Sequence, residues 1–373
     1  MRLLQLFLFL LISMTGFSQD YYLFIGTYTS GKSEGIYVYK FNSATGTVQP
    51  ISIAKGVDNP TYLTVAPGGK NLYAVNENGG GKPGEVSAFS FDAASGQLHF
   101  INKQPSGGDG PCYVTVDARN KWLLVGNYSA GSLAALPIRP DGSLAPSVQV
   151  IQHSGKGVKE QQEKAHVHAT VFSPDQQFVF VPDLGIDKVM IYRFLPQGKQ
   201  PLVPAKVPYA VMNPGSGPRH FTFHPAKPYA YLIEELSGMV SAYQYEKGKL
   251  TFLQRISSHP QDFTGIIGSA DIHVSPDGKF LYASNRGQSN SLAIFSIHPE
   301  NGKLTAVGFP STQGDMPRNF IIDPTGKWLL VANQKTGNIV IFKRDVATGL
   351  LDNTPQSVDV PNPVCLQLLK IDH

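Results

Sequence analysis

Apolar and polar residues alternate along this chain in short runs separated by turn-forming residues. Phe221-Thr222-Phe223 and Gly35-Ile36-Tyr37-Val38-Tyr39 are typical. A two-residue period of this kind predicts half-buried β-strands. The pattern returns at long intervals. Pro60-Thr61-Tyr62-Leu63-Thr64-Val65 leads through Pro67-Gly68-Gly69-Lys70 to Leu72-Tyr73-Ala74-Val75-Asn76. Segments beginning at Pro111, Val167, Pro218, Ser269 and Pro317 match it without a gap, at spacings of 51, 56, 51, 51 and 48 residues. Each copy reads as two strands joined by a turn, of which Pro276-Asp277-Gly278-Lys279 is the clearest. A third strand such as Gly238-Met239-Val240-Ser241-Ala242-Tyr243, a Gly-containing hairpin such as Ala44-Thr45-Gly46 or Asn301-Gly302, and a fourth strand complete the unit.

Four antiparallel strands in roughly 50 residues make a propeller blade. A seventh copy is split between the chain ends. Pro363-Val364-Cys365-Leu366-Gln367-Leu368 matches only its first half, and Leu23-Phe24-Ile25-Gly26-Thr27-Tyr28 supplies the second. The expected fold is therefore all-β: a seven-bladed β-propeller whose last blade is closed by the N- and C-terminal segments, leaving no free sheet edge. Residues 19–373 are expected to form this one domain.

Composition agrees: hydrophobic residues are 42%, charged residues 16%, and 37 Gly with 28 Pro allow many turns. The formal net charge of +4 is spread without a block of like charges, so no nucleic-acid partner is expected. Residues 1–18 read as a signal peptide. Arg2 starts it, an apolar run over 3–12 is broken only by Gln5, and Gly16-Phe17-Ser18 offers a cleavage site. The run is too short to span a bilayer. A periplasmic or secreted monomer, free of the membrane after cleavage, is expected. Cys112 and Cys365 fall near the starts of inner strands in non-adjacent blades and are not expected to pair.

In an antiparallel hairpin the start of the first strand lies beside the end of the second. Because the first strand of each blade lines the central channel, two repeat positions converge on one mouth. The first position carries Thr61, Cys112, His168, Arg219, Ala270, Arg318 and Val364; the second carries Glu77, Tyr128, Leu184, Glu235, Arg286, Gln334 and Tyr28. Blades three to six thus bring together His168, Arg219, Glu235, Arg286 and Arg318, and the arc of the shared blade is expected to be largely silent. An imidazole, a carboxylate and several guanidinium groups suit attack of water on an electrophilic carbonyl, or proton transfer beside one. His168 or Glu235 would be the base, and the arginines would hold an oxyanion, carboxylate or phosphate. Two polar loops, 152–165 and 257–268, precede first strands and should border the same mouth. No His-Glu-x-x-His pattern is present, and the Gly79-Gly80-Gly81 run reads as a plain loop. Asn76, Asn127, Asp183, Glu234, Asn285 and Asn333 form a ring that tempts a calcium site, but strand-ending side chains that bond their own turns are the expected reading. No metal or cofactor is called for.

Taken in order, Ala165-His166-Val167-His168, Gly217-Pro218-Arg219-His220, Glu234-Glu235-Leu236, Asp262-Phe263-Thr264-Gly265, Ala270-Asp271-Ile272-His273 and Ser284-Asn285-Arg286-Gly287 resemble the lactonase family of seven-bladed propellers. That family includes the bacterial propeller-type 6-phosphogluconolactonases and fungal carboxy-cis,cis-muconate cyclases. The resemblance implies a small-molecule lactone as substrate, and it puts the active-site His, two Arg and Glu on His168, Arg219, Arg286 and Glu235. His166, His220, Asp271 and Arg318 are expected around the substrate, with Arg318 at the periphery and His220 and Asp271 behind the reacting groups. Hydrolysis of 6-phosphogluconolactone follows from the resemblance; an export signal points instead to an unphosphorylated aldonolactone. A muconate-type cycloisomerase and a non-catalytic binding propeller are the alternatives.

Overall fold

The structure, a computed structural model, describes residues 19–78, 82–352 and 356–371. The expected signal peptide and the Gly79-Gly80-Gly81 run lie outside them. Seven antiparallel sheets follow one another around a ring. The fourth blade is representative, with strands Pro218–Phe223, Tyr229–Glu234, Met239–Glu246 and Lys249–Ser257 from the axis outward. The sixth blade differs in having its outermost strand interrupted, as Leu351–Asp352 and Ser357–Asp359.

The shared blade is built as the split repeat requires. Pro363–Lys370 is its innermost strand and pairs with Asp20–Thr27, which pairs with Gly35–Asn42 and then Val48–Lys55. A sheet in mid-ring buries both faces, so second strands read as unbroken apolar runs: every residue of Tyr229–Glu234 is buried. Seven apolar clusters result, one at each blade–blade contact. Two of them close the ring. Leu23 and Ile25 pack on Leu330 and Ile341 of the sixth blade, while Phe24 and Val38 pack on Leu72 and Phe89 of the first.

Polar latches reinforce these contacts. The hydroxyls of Tyr73, Tyr231 and Tyr282 donate to the carbonyls of Gly142, Gly302 and Gly349, each in the outer hairpin of the next blade. Gly302 sits at φ +68° with the Tyr229 ring 2.5 Å from where a Cβ would be, so only glycine fits there. Cys112 and Cys365 are buried free thiols.

Candidate active site at the channel mouth

A backbone irregularity repeated from blade to blade positions the site. In three inner hairpins the first pair is Pro111 with Asn127, Pro218 with Glu234, and Pro317 with Asn333. The next pair joins Tyr113 to Gly126, His220 to Ile233, and Asn319 to Ala332, so one inner-strand residue is left over each time. That residue is Cys112, Arg219 or Arg318. Such a bulge re-aims a side chain that strict alternation would bury between blades. Val364 occupies the same place in the shared blade. In the third blade an isolated bridge joins Val167 to Asp183, and the His168 N–H donates to Pro182 O at 3.0 Å, which sets His168 at the equivalent point. Thr61, Cys112, His168, Arg219, Arg318 and Val364 consequently line one small space on the axis. Arg318, expected at the periphery, lines it together with His168 and Arg219.

Glu235 is the electrostatic centre of one half of this mouth. Its Oε2 accepts from Arg219 Nε at 2.8 Å, and its Oε1 lies 3.0 Å from Arg286 Nη2. Both guanidinium groups are also fastened to the backbone. Arg219 Nη1 donates to Ala270 O at 2.7 Å, while Arg286 donates to Gly268 O and Ser269 O at 3.0 and 3.2 Å. His168 Nε2 stands 4.0 Å from Glu235 Oε2, too far for a direct hydrogen bond. Burial pushes the Glu235 carboxyl up, but the Arg286 and Arg219 charges outweigh it and hold the group below its usual value. His168 is moved the other way from a cation: burial, then Arg219, keep it well below the ordinary histidine pKa and therefore neutral. Burial also lowers Arg219, with help from Arg286, to about 10, so it stays charged at neutral pH. The Cys112 thiol lies 3.8 Å from His168 Nδ1, the spacing of a cysteine–histidine pair. Burial pushes that thiol to about 12, which removes it as a thiolate nucleophile.

His166 lies beside this layer. Its Nδ1 is 3.0 Å from Tyr128 O, its Nε2 is 3.1 Å from Glu163 Oε2, and its ring stacks on Tyr128 at 4.4 Å. Tyr128 in turn meets His168 edge-on at 5.4 Å. His166 therefore braces the wall that touches His168, and the 152–165 loop reaches the mouth through Glu163.

One position further along the repeat, Tyr62, Tyr113, His220, Asp271 and Asn319 form a second layer that closes the channel as a floor. Tyr62 stacks on Tyr113 at 4.2 Å, and both meet the His220 ring edge-on. Asp271 receives His220 Nδ1 at 2.7 Å, His273 Nε2 at 2.9 Å and Asn319 Nδ2 at 2.5 Å. The carboxylate fixes the hydrogen of His220 on Nδ1, which leaves Nε2 as acceptor toward Arg219 Nη1 at 3.3 Å. Burial and Arg219 lower His220 to about 4, so it is neutral at physiological pH. Toward the far ends of the inner strands, a cavity of about 390 Å³ opens below this floor.

Asp271→Asn is expected to destabilise the fold by roughly 2–4 kcal/mol, because an amide cannot receive all of these donors. Urea unfolding measures it; an unchanged midpoint would show that the floor does not hold the inner strands together.

The arc next to the shared blade carries polar contacts of its own. Tyr28 Oη donates to Glu77 Oε1 at 2.8 Å and Thr61 Oγ1 to Glu77 Oε2 at 2.5 Å. Arg318 Nη2 is 3.9 Å from the same Oε2, and its guanidinium lies 5.6 Å from the Tyr28 ring centre. Tyr28 and Glu77 stand at the second repeat position, so the signal was present; residue type alone did not reveal that they bond across the joint between the shared and first blades. The ring residues Asn76, Asn127, Asn285 and Asn333 each donate to the loop that enters their own blade, at Asp58, Ser106, Ser258 and Thr312. Asp183 accepts from Gly185 N in its turn, and Glu234 from Ser237.

Residues 22–368 match the family model described as "Lactonase, 7-bladed beta-propeller". A 6-phosphogluconolactonase of Bacillus subtilis is 39% identical over 93% of this chain and 97% of its own length. One of Formosa agariphila is 41% identical over 94% of this chain and 100% of its own. The solved structure of the Pseudomonas aeruginosa periplasmic gluconolactonase, PpgL, superposes with a TM-score of 0.90 at 42% identity, covering 95% of this chain and 100% of that one. With the axial constellation and the split seventh blade, these likenesses make the chain a member of the seven-bladed β-propeller lactonase family.

Proposed function

We propose that the chain hydrolyses a sugar lactone at this mouth, and that residues 1–18 export it so that the reaction takes place outside the cytoplasm. The observation that carries the reading is His168 facing, at 4.0 Å, a carboxylate clamped by two arginines. One water bonded to both His168 Nε2 and Glu235 Oε2 bridges their separation with two ordinary hydrogen bonds at a bent angle. His168 takes its proton as the oxygen attacks the lactone carbonyl. The oxyanion that forms is held by the guanidinium groups of Arg219 and Arg286. On collapse the ring C–O bond breaks, and the alkoxide takes the proton back from His168 to give the hydroxy acid. Glu235 stays ionised throughout, orienting the water and balancing the imidazolium. His220 and Asp271 hold Arg219 from below, and His166 braces Tyr128. The relatives' names divide between phosphorylated and free gluconolactone; the export signal favours the unphosphorylated substrate. No helix among the described residues is long and apolar enough to cross a membrane.

Turnover of glucono-1,5-lactone, its 6-phosphate and carboxymuconate by the purified protein separates hydrolysis from cycloisomerisation. Failure on every lactone overturns the proposal. The pH dependence is a sharper expectation. Because His168 sits below the ordinary value of about 6.5, it remains a free base in mild acid. The kcat/KM profile should stay flat from pH 8 to about 6 and fall only below that, whereas an unshifted histidine would give half-maximal rate near pH 6.5. Stability has its own acid limb. His220 titrates at about 4 when folded against roughly 6.5 unfolded. The unfolded chain takes up that proton first, so the contribution is complete above pH 6.5 and is lost as pH falls toward 4, about 3 kcal/mol in all. Melting curves between pH 7.5 and 4.5 separate this loss from the kinetic one.

A further inference from the structure

The three arginines of the mouth are not equivalent. Arg219 and Arg286 are each fastened both to Glu235 and to backbone carbonyls. Arg318 has no hydrogen bond to any described residue; its contacts are the 3.9 Å approach to Glu77 and the Tyr28 ring. Its side chain, 18% exposed, borders the space that His168 and Arg219 line. Glu77 is the complement. Tyr28 and Thr61 fix its two oxygens from behind, and it retains 21% side-chain exposure. A carboxylate that accepts from two hydroxyls still has lone pairs to spare. The mouth therefore holds two differently prepared halves. The Glu235 half has two arginines anchored around one carboxylate, whereas the opposite half presents an acceptor held by two hydroxyls beside a five-hydrogen donor with no hydrogen bond among the described residues.

We propose that Glu77, Arg318 and Tyr28 form a polyol-recognition subsite that reads vicinal hydroxyls of the substrate, making the enzyme selective for polyhydroxylated lactones over bare ones. The proposal rests on the hydrolytic reading of the Glu235 half and assigns the residues that discriminate among lactones. The chemistry follows from pairing. Each sugar hydroxyl is both donor and acceptor, and two neighbouring hydroxyls are satisfied together by a carboxylate and a guanidinium side by side. A lactone without hydroxyls would desolvate both charged groups while giving Arg318 no acceptor and Glu77 no further donor, which is how a polar site rejects a bare analogue. Thr61 and Tyr28 keep Glu77 from turning away to meet Arg318 directly, so the pair stays open to a ligand.

The test compares D-glucono-1,5-lactone with δ-valerolactone, which carries the same ring ester and no hydroxyls, after subtraction of spontaneous hydrolysis. Wild type should favour the hydroxylated lactone in kcat/KM by at least about 100-fold. Glu77→Gln and Arg318→Met should each lower that ratio by about tenfold or more, chiefly through KM for gluconolactone. Tyr28→Phe, which frees one oxygen of Glu77 without removing it, should lower the ratio by less. Calorimetric binding of the ring-opened products, gluconate and 5-hydroxyvalerate, carries the same comparison without turnover. Gluconate should bind more tightly to wild type, and Glu77→Gln should erase most of the difference. If the variants depress both lactones equally, or if wild type binds the two acids alike, the subsite is overturned even where hydrolysis stands. Tighter binding of inorganic phosphate than of gluconate, abolished by Arg318→Met, would show an anion site instead and also overturn it. Absence of lactone turnover with gluconate selectivity intact would instead count against the hydrolytic reading alone.

Discussion

Arg219→Ala is expected to reduce kcat/KM on a sugar lactone by about 10³-fold or more and to destabilise the protein by roughly 3–5 kcal/mol. The two effects have separate origins. Arg219 is 1% exposed and serves Glu235, Ala270 O and His220 at once. Its removal leaves the partly buried Glu235 carboxylate without one of its two arginine clamps and two acceptors without donors. Loss of one oxyanion donor alone is worth about 10²–10³ in rate. The His168 pKa should also rise, because one of the charges holding it down is gone, so the acid limb of the rate profile should move upward. Arg219→Lys discriminates further. A lysine restores the charge but not the fork that reaches Glu235 and Ala270 together, so stability should recover more than activity. Denaturant unfolding and steady-state kinetics on the same samples measure both quantities. Full stability with lost activity would mean that Arg219 does not support the mouth; full activity in Arg219→Ala would remove it from the site.

Removal of residues 363–373 should have the largest effect on the fold itself. Pro363–Lys370 supplies the innermost strand of the shared blade and buries Val364, Cys365 and Leu366. Its ladder covers Asp20–Thr27, whose inner edge would otherwise be open. Leu366 N also donates to Asn319 Oδ1 in the floor layer. At about 1.5–3 kcal/mol for each fully buried aliphatic side chain, the strand contributes on the order of 5–8 kcal/mol before hydrogen bonds are counted. That approaches the whole stability of a typical domain. The truncated chain should be insoluble or melt at least about 10 °C lower. Leu366→Ala, a milder cavity at the same joint, should cost about 2–5 kcal/mol. An unchanged melting temperature in the truncated protein would show that the ring does not depend on this closure.

The blades and their closure were legible in the sequence because a propeller repeats its turns and apolar runs at fixed spacing. The split copy was legible for the same reason: Leu23 to Tyr28 and Pro363 to Leu368 each match half a blade. The meeting of His168, Arg219, Glu235 and Arg286 at one mouth followed from strand direction alone. The bulge that aims Cys112, Arg219 and Arg318 inward was not legible. It recurs at the same repeat position, so the copies align without a gap and nothing marks the extra residue. The floor was legible in principle. Tyr62, Tyr113, His220, Asp271 and Asn319 stand one place after the first repeat position, a place that two-residue alternation would assign to the opposite face. The Tyr28–Glu77–Thr61 bonds depend on where two side chains end, which spacing does not encode. Arg318 reaches the mouth as its repeat position implies, but its closeness to Glu77 depends on the bulge and on side-chain ends that spacing does not encode.

The central claim is that His168, beside the clamped Glu235, drives hydrolysis of a sugar lactone. Acid release from D-glucono-1,5-lactone in a pH-stat, recorded for wild type and His168→Ala against the spontaneous rate, tests it most directly. The expected result is release well above background by wild type and a fall of about 10²–10⁴-fold in the variant, with its melting temperature retained. Equal rates for the two proteins, or a wild-type rate no greater than background, would contradict it.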